Sequence, residues 1–397
     1  MLPWRRNLYI MFAVQLVTMS GFSLVFPFLP LYITQLGVST RGSTEFWSGL
    51  VFSAQALTMM VSAPVWGAVA DRFGRKLMLA RATLGGAVLL AAMGFAQSAE
   101  QLVLLRALQG MVTGTIPAAN ALVAASAPRE HSGEALGLLQ TGAWVGVAVG
   151  PVIGGIIGDA IGFRESFWIT GGLLALSGFA VLMWVEEDFH PAYRAGRLKL
   201  IAGYRWLMQS PVMIRLYIIS FLQAVGRMLI MPIAALFIMQ LMETSAGVAT
   251  VTGIMMGAMA VTSSVSGAIM GRMGDRIGHG RILLASVLAA MVFYLPQPFV
   301  SAPWQLVMLQ ALTGLANGGM IPAVAALMNL QNKTGSQGAI FGLNASVTAA
   351  GRSLAPMLGA SMAIWFGMRS VFLVAAGIYA FAAIVAVYIY RAGLKPR

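Results

Sequence analysis

GAVADRFGRKLML occupies residues 67–79, and GRMGDRIGHGRILL follows at 271–284. Each sits between long apolar stretches. Each keeps an Asp, an Arg and a Gly in register: Asp71, Arg72 and Gly74, then Asp275, Arg276 and Gly278. In a chain with only 9% charged side chains, a charged connection written twice points to an internal duplication.

Working outward, more motifs recur at the same distance. LRALQGMVTGTIPAA (105–119) answers LQALTGLANGGMIPAV (309–324), GPVIGG (150–155) answers APMLGA (355–360), and GFRESF (162–167) answers GMRSVF (367–372). The offset is 204 for Asp71/Asp275 and Gly110/Gly314, then 205 for Pro117/Pro322, Pro151/Pro356 and Arg164/Arg369, so one inserted residue explains the change.

The material between these motifs is oily: 59% of the 397 residues are hydrophobic. An apolar run of about 20 residues can cross a bilayer core as a helix. Twelve such runs are expected: 8–33, 46–70, 77–97, 101–125, 135–161, 166–185, 212–239, 247–270, 281–300, 304–328, 338–364 and 370–390. The first exceeds a signal-peptide apolar core and has no small-residue cleavage site, so it reads as a span rather than a leader. The fold class is all-α integral membrane, with two pseudo-symmetric bundles of six helices. The expected domains are 1–185 and 212–397, with 186–211 as a cytoplasmic linker carrying His190.

The net charge of +13 orients the chain rather than attracting nucleic acid. Most of the 25 basic residues fall at the span ends that lie on the side of the N-terminus. The opposite loops carry only Arg41, Arg164 and Arg369. The positive-inside rule then places both termini in the cytoplasm of a multi-pass inner-membrane protein. With no cysteine, disulfide and thiolate chemistry are absent. The chain has no G-x-x-x-x-G-K-[ST] phosphate loop and no H-E-x-x-H, which argues against an ATP-driven pump and an intramembrane enzyme. No metal or cofactor is expected.

Two six-helix halves related by parallel duplication are one plan of secondary transporters. The 67–79 motif, LRALQG in the fourth span, GVAVGPVIGG in the fifth and the opening GFSLVFPFLPLYITQLGVS make the whole chain resemble a major facilitator superfamily transporter. It is most similar to bacterial twelve-helix multidrug/proton antiporters. The resemblance implies alternating access, proton-coupled efflux of amphipathic compounds, and a monomer in the lipid bilayer.

By that resemblance, Asp71, Arg72, Gly74, Arg75 and Lys76 form a cytoplasmic latch, with Asp275, Arg276 and Gly278 as the weaker copy. Asp71 is expected to accept backbone N–H bonds at a neighbouring helix start, and Glu134 to partner Arg75. Arg106 matches the buried arginine of the family's LxxxRxxQG motif, tied there to proton transfer; Glu134 is a second coupling candidate. In the fifth span, Gly142, Gly146, Gly150, Gly154 and Gly158 recur every four residues, with Pro151 and Gly155 completing G-P-x-x-G-G. That spacing allows close helix approach, and the resemblance implies export.

No Asp or Glu falls in the middle of any expected span, whereas Arg106, Arg227 and Arg352 do. An intramembrane arginine faces a cavity or partner, or caps carbonyls at a helix break; both readings stand at this point. Other candidate cavity residues are Gln15, Phe22, Phe26, Asn120, Gln140, Trp144, Gln223, Asn317 and Asn344, with Met255, Met256 and Met259 as an adaptable wall. Arginines without counter-charge suit carboxylate or phosphate. An alternative cargo is therefore an anionic or zwitterionic amphiphile, including lipid.

Overall fold

The computed structural model describes residues 3–37, 42–128, 131–187, 210–331 and 337–391. The expected linker therefore lies outside the described residues except at its two ends, and the side chain of Asp71 lies outside them too. The described helices are α1 (Pro3–Leu24), α2 (Leu29–Leu36), α3 (Thr44–Phe73), α4 (Arg75–Met93), α5 (Ala99–Val112), α6 (Thr115–Ser126), α7 (Ser132–Ala160) and α8 (Phe163–Trp184). They continue as α9 (Pro211–Met228), α10 (Ala234–Met242), α11 (Val248–Ile277), α12 (His279–Tyr294), α13 (Pro303–Leu330), α14 (Gln337–Phe366) and α15 (Met368–Arg391). Among the described residues there is no strand.

Nine of these helices are long and apolar enough to cross a membrane. Helix α1, the first part of the expected first span, is among them, and the fourth, seventh and eleventh expected spans arise differently. Three expected continuous spans are broken: the first into α1 and α2, the fourth into α5 and α6, the seventh into α9 and α10. The breaks follow from backbone chemistry. Pro27 and Pro232, 205 positions apart, lie in the first and third interruptions and cannot donate the helical N–H. Gly114, at φ 145, caps the start of α6 in a region open only to glycine. The eleventh span, α14, is 30 residues long but carries Asn344 and Arg352, which lower its hydropathy.

By contacts the chain forms two compact units: Met1–Tyr193 with Ala234–Gly257, and Arg194–Ile233 with Ala258–Arg397. In the first, α1 packs on α7 and α8, α4 on α8, and α3 on α5. Leu8, Met11, Leu79, Leu122, Leu139 and Val181 form a core there. In the second, α9 packs on α14 and α15, and α12 on α13 and α15. Many large apolar side chains face outward, among them Val88, Leu176, Met183 and Ile384. A water-soluble protein could not leave such residues exposed in number; a lipid-facing surface needs them.

The duplication is visible atom by atom. Thr58 Oγ1 donates to the Ala107 carbonyl at 2.8 Å, and Thr262 Oγ1 donates to the Ala311 carbonyl at 2.8 Å. The Gln97 amide donates to Gln101 Oε1 and the Ser301 amide to Gln305 Oε1, both at 2.9 Å. Each bond thus recurs one repeat later, inside its own unit.

Candidate transport site

Arg106, on α5, is completely buried. Its Nη1 donates to Gln109 Oε1 at 2.9 Å, one helical turn on. Its guanidinium carbon lies 5.8 Å from the ring centres of both Phe26 and Phe52, within cation–π reach. Nε and Nη2 find no partner among the described residues. A charge at mid-membrane costs about 2.5–3.5 kcal/mol on insertion scales, and two rings and one amide only partly offset it. The break after Val112 ends the helix two turns beyond Arg106, so α5 presents this arginine from a short helix.

The structure brings Phe26 and Arg106 together. Gln15 is buried in α1 with its Oε1 unpartnered among the described residues. Phe22 lies over Gly86 of α4. Asn120 and Gln140 are half-buried on α6 and α7, and Trp144 is exposed. Met255 and Met256 are buried within the first unit.

In the second unit a cavity of about 310 Å³ opens among α9, α13 and α14. Arg227, Arg352, Gln223, Asn344, Thr348 and Phe341 line it, together with Ser220 and apolar residues. Two glycines let the helices approach closely enough to shape it: Gly351 sits against Phe221, and Gly359 against the Leu229 carbonyl. Asn317 lies one layer behind. Its side-chain oxygen accepts from the Tyr379 hydroxyl at 2.8 Å, and its carbonyl accepts from Gln223 Nε2 at 3.5 Å. Tyr379 stacks on Tyr294 at 5.3 Å, and Arg227 lies within electrostatic reach of both rings. Sequence reading missed this tyrosine pair, because tyrosine counts as apolar and the partners are far apart along the chain.

The two charged connections are shorter than loops. Helices α3 and α4 are separated by Gly74 alone, at φ 95, and α11 and α12 by Gly278 alone, at φ 97. Backbone N–H groups at the start of α4 are capped by Glu187: the Arg75 amide donates to Oε1 at 2.9 Å and the Lys76 amide to Oε2 at 2.8 Å. Glu187 thus holds, on α4, the kind of capping position expected of Asp71. Glu134 meets His131 at 3.2 Å rather than Arg75. Residue 186 has a partner as well, since Glu186 pairs with Arg6 and exchanges backbone and side-chain bonds with Asn7. The start of the expected linker is therefore a clamp on α1 and α4. In the second connection, Asp275 pairs with His279 Nε2 at 3.2 Å, while Arg276 is exposed.

On α7 the glycine row faces α1. Gly142, Gly146, Gly150 and Gly154 lie against Phe12, Leu16, Ser20 and Leu24, again at four-residue intervals. Gly155 turns to a different neighbour, the Ala249 carbonyl on α11, and Gly253 of α11 packs on the Pro151 carbonyl. One turn on, Asp159 accepts from the Thr250 amide at 2.7 Å and from the Thr250 hydroxyl at 2.6 Å. A carboxylate at a helix N-terminus satisfies unpaired donors and suits the dipole.

The model of the family described as Major Facilitator Superfamily matches residues 11–213 and 216–397. This chain belongs to the Major Facilitator Superfamily. It is accordingly a multi-pass membrane protein and a secondary transporter, not an enzyme. It is 37% identical over 381 residues to the multidrug resistance protein MdtG of Salmonella paratyphi A, covering 96% of this chain and 94% of that one. The MdtG protein of Salmonella arizonae matches to the same extent. Among solved structures, a bacterial homologue of the human lysosomal transporter Spinster, inward-facing and unoccupied, superposes with a TM-score of 0.82 at 14% identity, covering 98% of each chain. The human organic anion transporter MFSD10 gives a TM-score of 0.67 at 17% identity, over 97% of this chain and 100% of that one. At those identities the solved structures speak to the fold alone.

Proposed function

We propose that this chain exports amphipathic compounds across the inner membrane by alternating access, driven by the proton gradient, with both termini in the cytoplasm. The observation that carries the reading is the 37% identity with MdtG over 96% of the chain. The moving bodies are the six-helix halves 1–185 and 212–397, joined through 186–211. Asp71, Arg72, Gly74, Arg75 and Lys76, with Asp275, Arg276 and Gly278, close the cytoplasmic side. Arg106 is the residue linked to proton movement. Its two unpartnered donors in a buried site support that role, because a water or ligand there would find strong donors already desolvated.

The test is gradient-driven uptake of a cationic dye into proteoliposomes, with simultaneous proton flux. Wild type moves both, whereas Asp71→Asn and Arg106→Gln insert normally and lose at least tenfold in rate. Dye movement that ignores the pH gradient, or wild-type rates in both variants, contradicts the reading.

A second reading rests on a separate observation. The second-unit cavity contains two arginines and, among the described residues, no carboxylate. That chemistry favours an anionic or zwitterionic amphiphile over a bare cation.

A further inference from the structure

The acidic residues of this chain are unevenly divided. Of its 12 Asp and Glu, the second unit (194–233 and 258–397) contains only Asp275. That residue stands at the end of α11, exposed and engaged with His279. The cavity among α9, α13 and α14 has no protein counter-charge within its own unit, yet Arg227 and Arg352 both open onto it. Two guanidinium groups sharing one small cavity repel each other as well as paying for desolvation. Arg227 is half-buried and Arg352 exposed where they meet the cavity, and no carboxylate among the described residues lines it beside them.

The remaining lining is chosen for an oxyanion. Gln223 and Asn344 bring neutral amide groups to the same space, while Thr348 donates its hydroxyl proton to the Asn344 carbonyl at 2.9 Å. Asn344 Oδ1 is buried and unpartnered among the described residues. Behind Gln223, Asn317 accepts from the Tyr379 hydroxyl, and Tyr379 stacks on Tyr294. The other walls are Ser220 and the apolar Ala224, Met228, Ile321, Val324, Ala325 and Phe341. About 310 Å³ lies at the small end of ligand sites; it holds a headgroup and a few carbons rather than a whole amphiphile.

We infer that this cavity is an oxyanion-headgroup site, in which Arg227 and Arg352 grip the carboxylate, phosphate or phosphonate of an amphiphile whose first carbons lie on Phe341 and Ile321. The inference rests on the anionic-amphiphile reading above and adds the site, the group recognised and the residues that recognise it. An oxyanion supplies the missing negative charge, and planar guanidinium forks suit its geometry. A quaternary ammonium headgroup would add a third positive charge to the pair.

The test measures binding, separately from transport. The full-length protein is placed in nanodiscs of phosphatidylcholine, and radiolabelled hexyl phosphate is titrated against it, with hexyltrimethylammonium as the matched cation. Hexyl phosphate binds saturably and the cation does not. Arg227→Gln and Arg352→Gln each weaken binding about tenfold or more, the range expected for a charge-assisted bond. The Arg→Lys variants, which keep the charge but not the fork, recover part of it. Arg281→Gln, an exposed arginine on α12 outside the cavity, binds as wild type. Gel filtration and melting curves screen each variant for folding.

Nanodiscs containing phosphatidylglycerol distinguish the source of the headgroup. Suppression of hexyl phosphate binding by that lipid identifies a lipid occupant, and unaltered binding identifies a soluble one; either supports the site. Equal binding of both probes, or hexyl phosphate binding indifferent to both arginines in well-folded variants, overturns it. If the site binds hexyl phosphate but proteoliposomes do not transport it, the site stands and the anionic-cargo reading falls. If the anion is transported without dependence on either arginine, the cargo reading stands and this site falls.

Discussion

Replacing Gly154 by Ala should destabilise the protein although alanine is the better helix former. At Gly154 an added methyl would meet the Leu24 carbonyl well inside the 3.0 Å below which such contacts are essentially never found. The obstacle is backbone, so no rotamer change relieves it, and α1 and α7 must part. Overpacking of this kind costs typically about 1–3 kcal/mol. Gly137, on the same helix, has nothing within 4 Å of an added methyl. There Gly→Ala removes only backbone entropy from the unfolded chain and gains about 0.5–1 kcal/mol. The two substitutions on one helix thus have opposite signs. For a unit of about 200 residues, a loss of 3 kcal/mol lowers the melting temperature by roughly 6–12 °C. The assay is thermal unfolding of the purified protein in one detergent, with Gly359→Ala as the second-unit counterpart against the Leu229 carbonyl. If Gly154→Ala and Gly137→Ala melt together, the close helix contact does not carry the stability assigned to it.

Glu187→Ala removes the acceptor from two backbone donors at the start of α4 and should cost about 1–2 kcal/mol; Glu187→Gln should recover part, and equal melting of both with wild type would refute the cap. Asp159→Asn loses a charged acceptor for Thr250, so α7 and α11 should separate more often. Because the chain has no cysteine, Val248→Cys, buried at the start of α11, reports this directly. Its labelling by an impermeant maleimide should accelerate about tenfold in the Asp159→Asn background, and an unchanged rate would rule out the carboxylate as the tie. The Tyr379→Phe change removes the hydroxyl held by Asn317. It should lower stability by about 1 kcal/mol, measured by thermal unfolding, because a buried acceptor loses its donor.

The membrane fold was legible because length and oiliness of a segment suffice to mark a crossing. The repeat was legible because four motifs keep order and spacing. The broken spans were not read, since an apolar run records where lipid is met and not where the backbone leaves the helix. A signal was nevertheless present: Pro27 and Pro232 share the 205-residue offset of the later motifs. Arg227 and Arg352 stood out as rare charges in oily runs, and the structure gathers them with Gln223 and Asn344. For Gln15, Asn120, Gln140 and Trp144, polarity or size within a span fixes depth but not the face of the helix. The cap on α4 shows the same limit. Glu187, 112 positions from Arg75, reaches the start of α4, a cap that no local spacing announces. Only the packing of α8 on α4 brings it there.

The single glycines between α3 and α4 and between α11 and α12 have a mechanical consequence. A connection one residue long has no slack. Two rods meeting at such a pivot behave as a crank, and tilt in one is delivered to the other without loss. At φ 95 and φ 97 the pivot itself resists replacement, because a side chain there is strained. Lengthening it by a few residues would leave both rods intact and introduce backlash. A transporter built this way pays attention to the length of the joint as much as to the charges beside it.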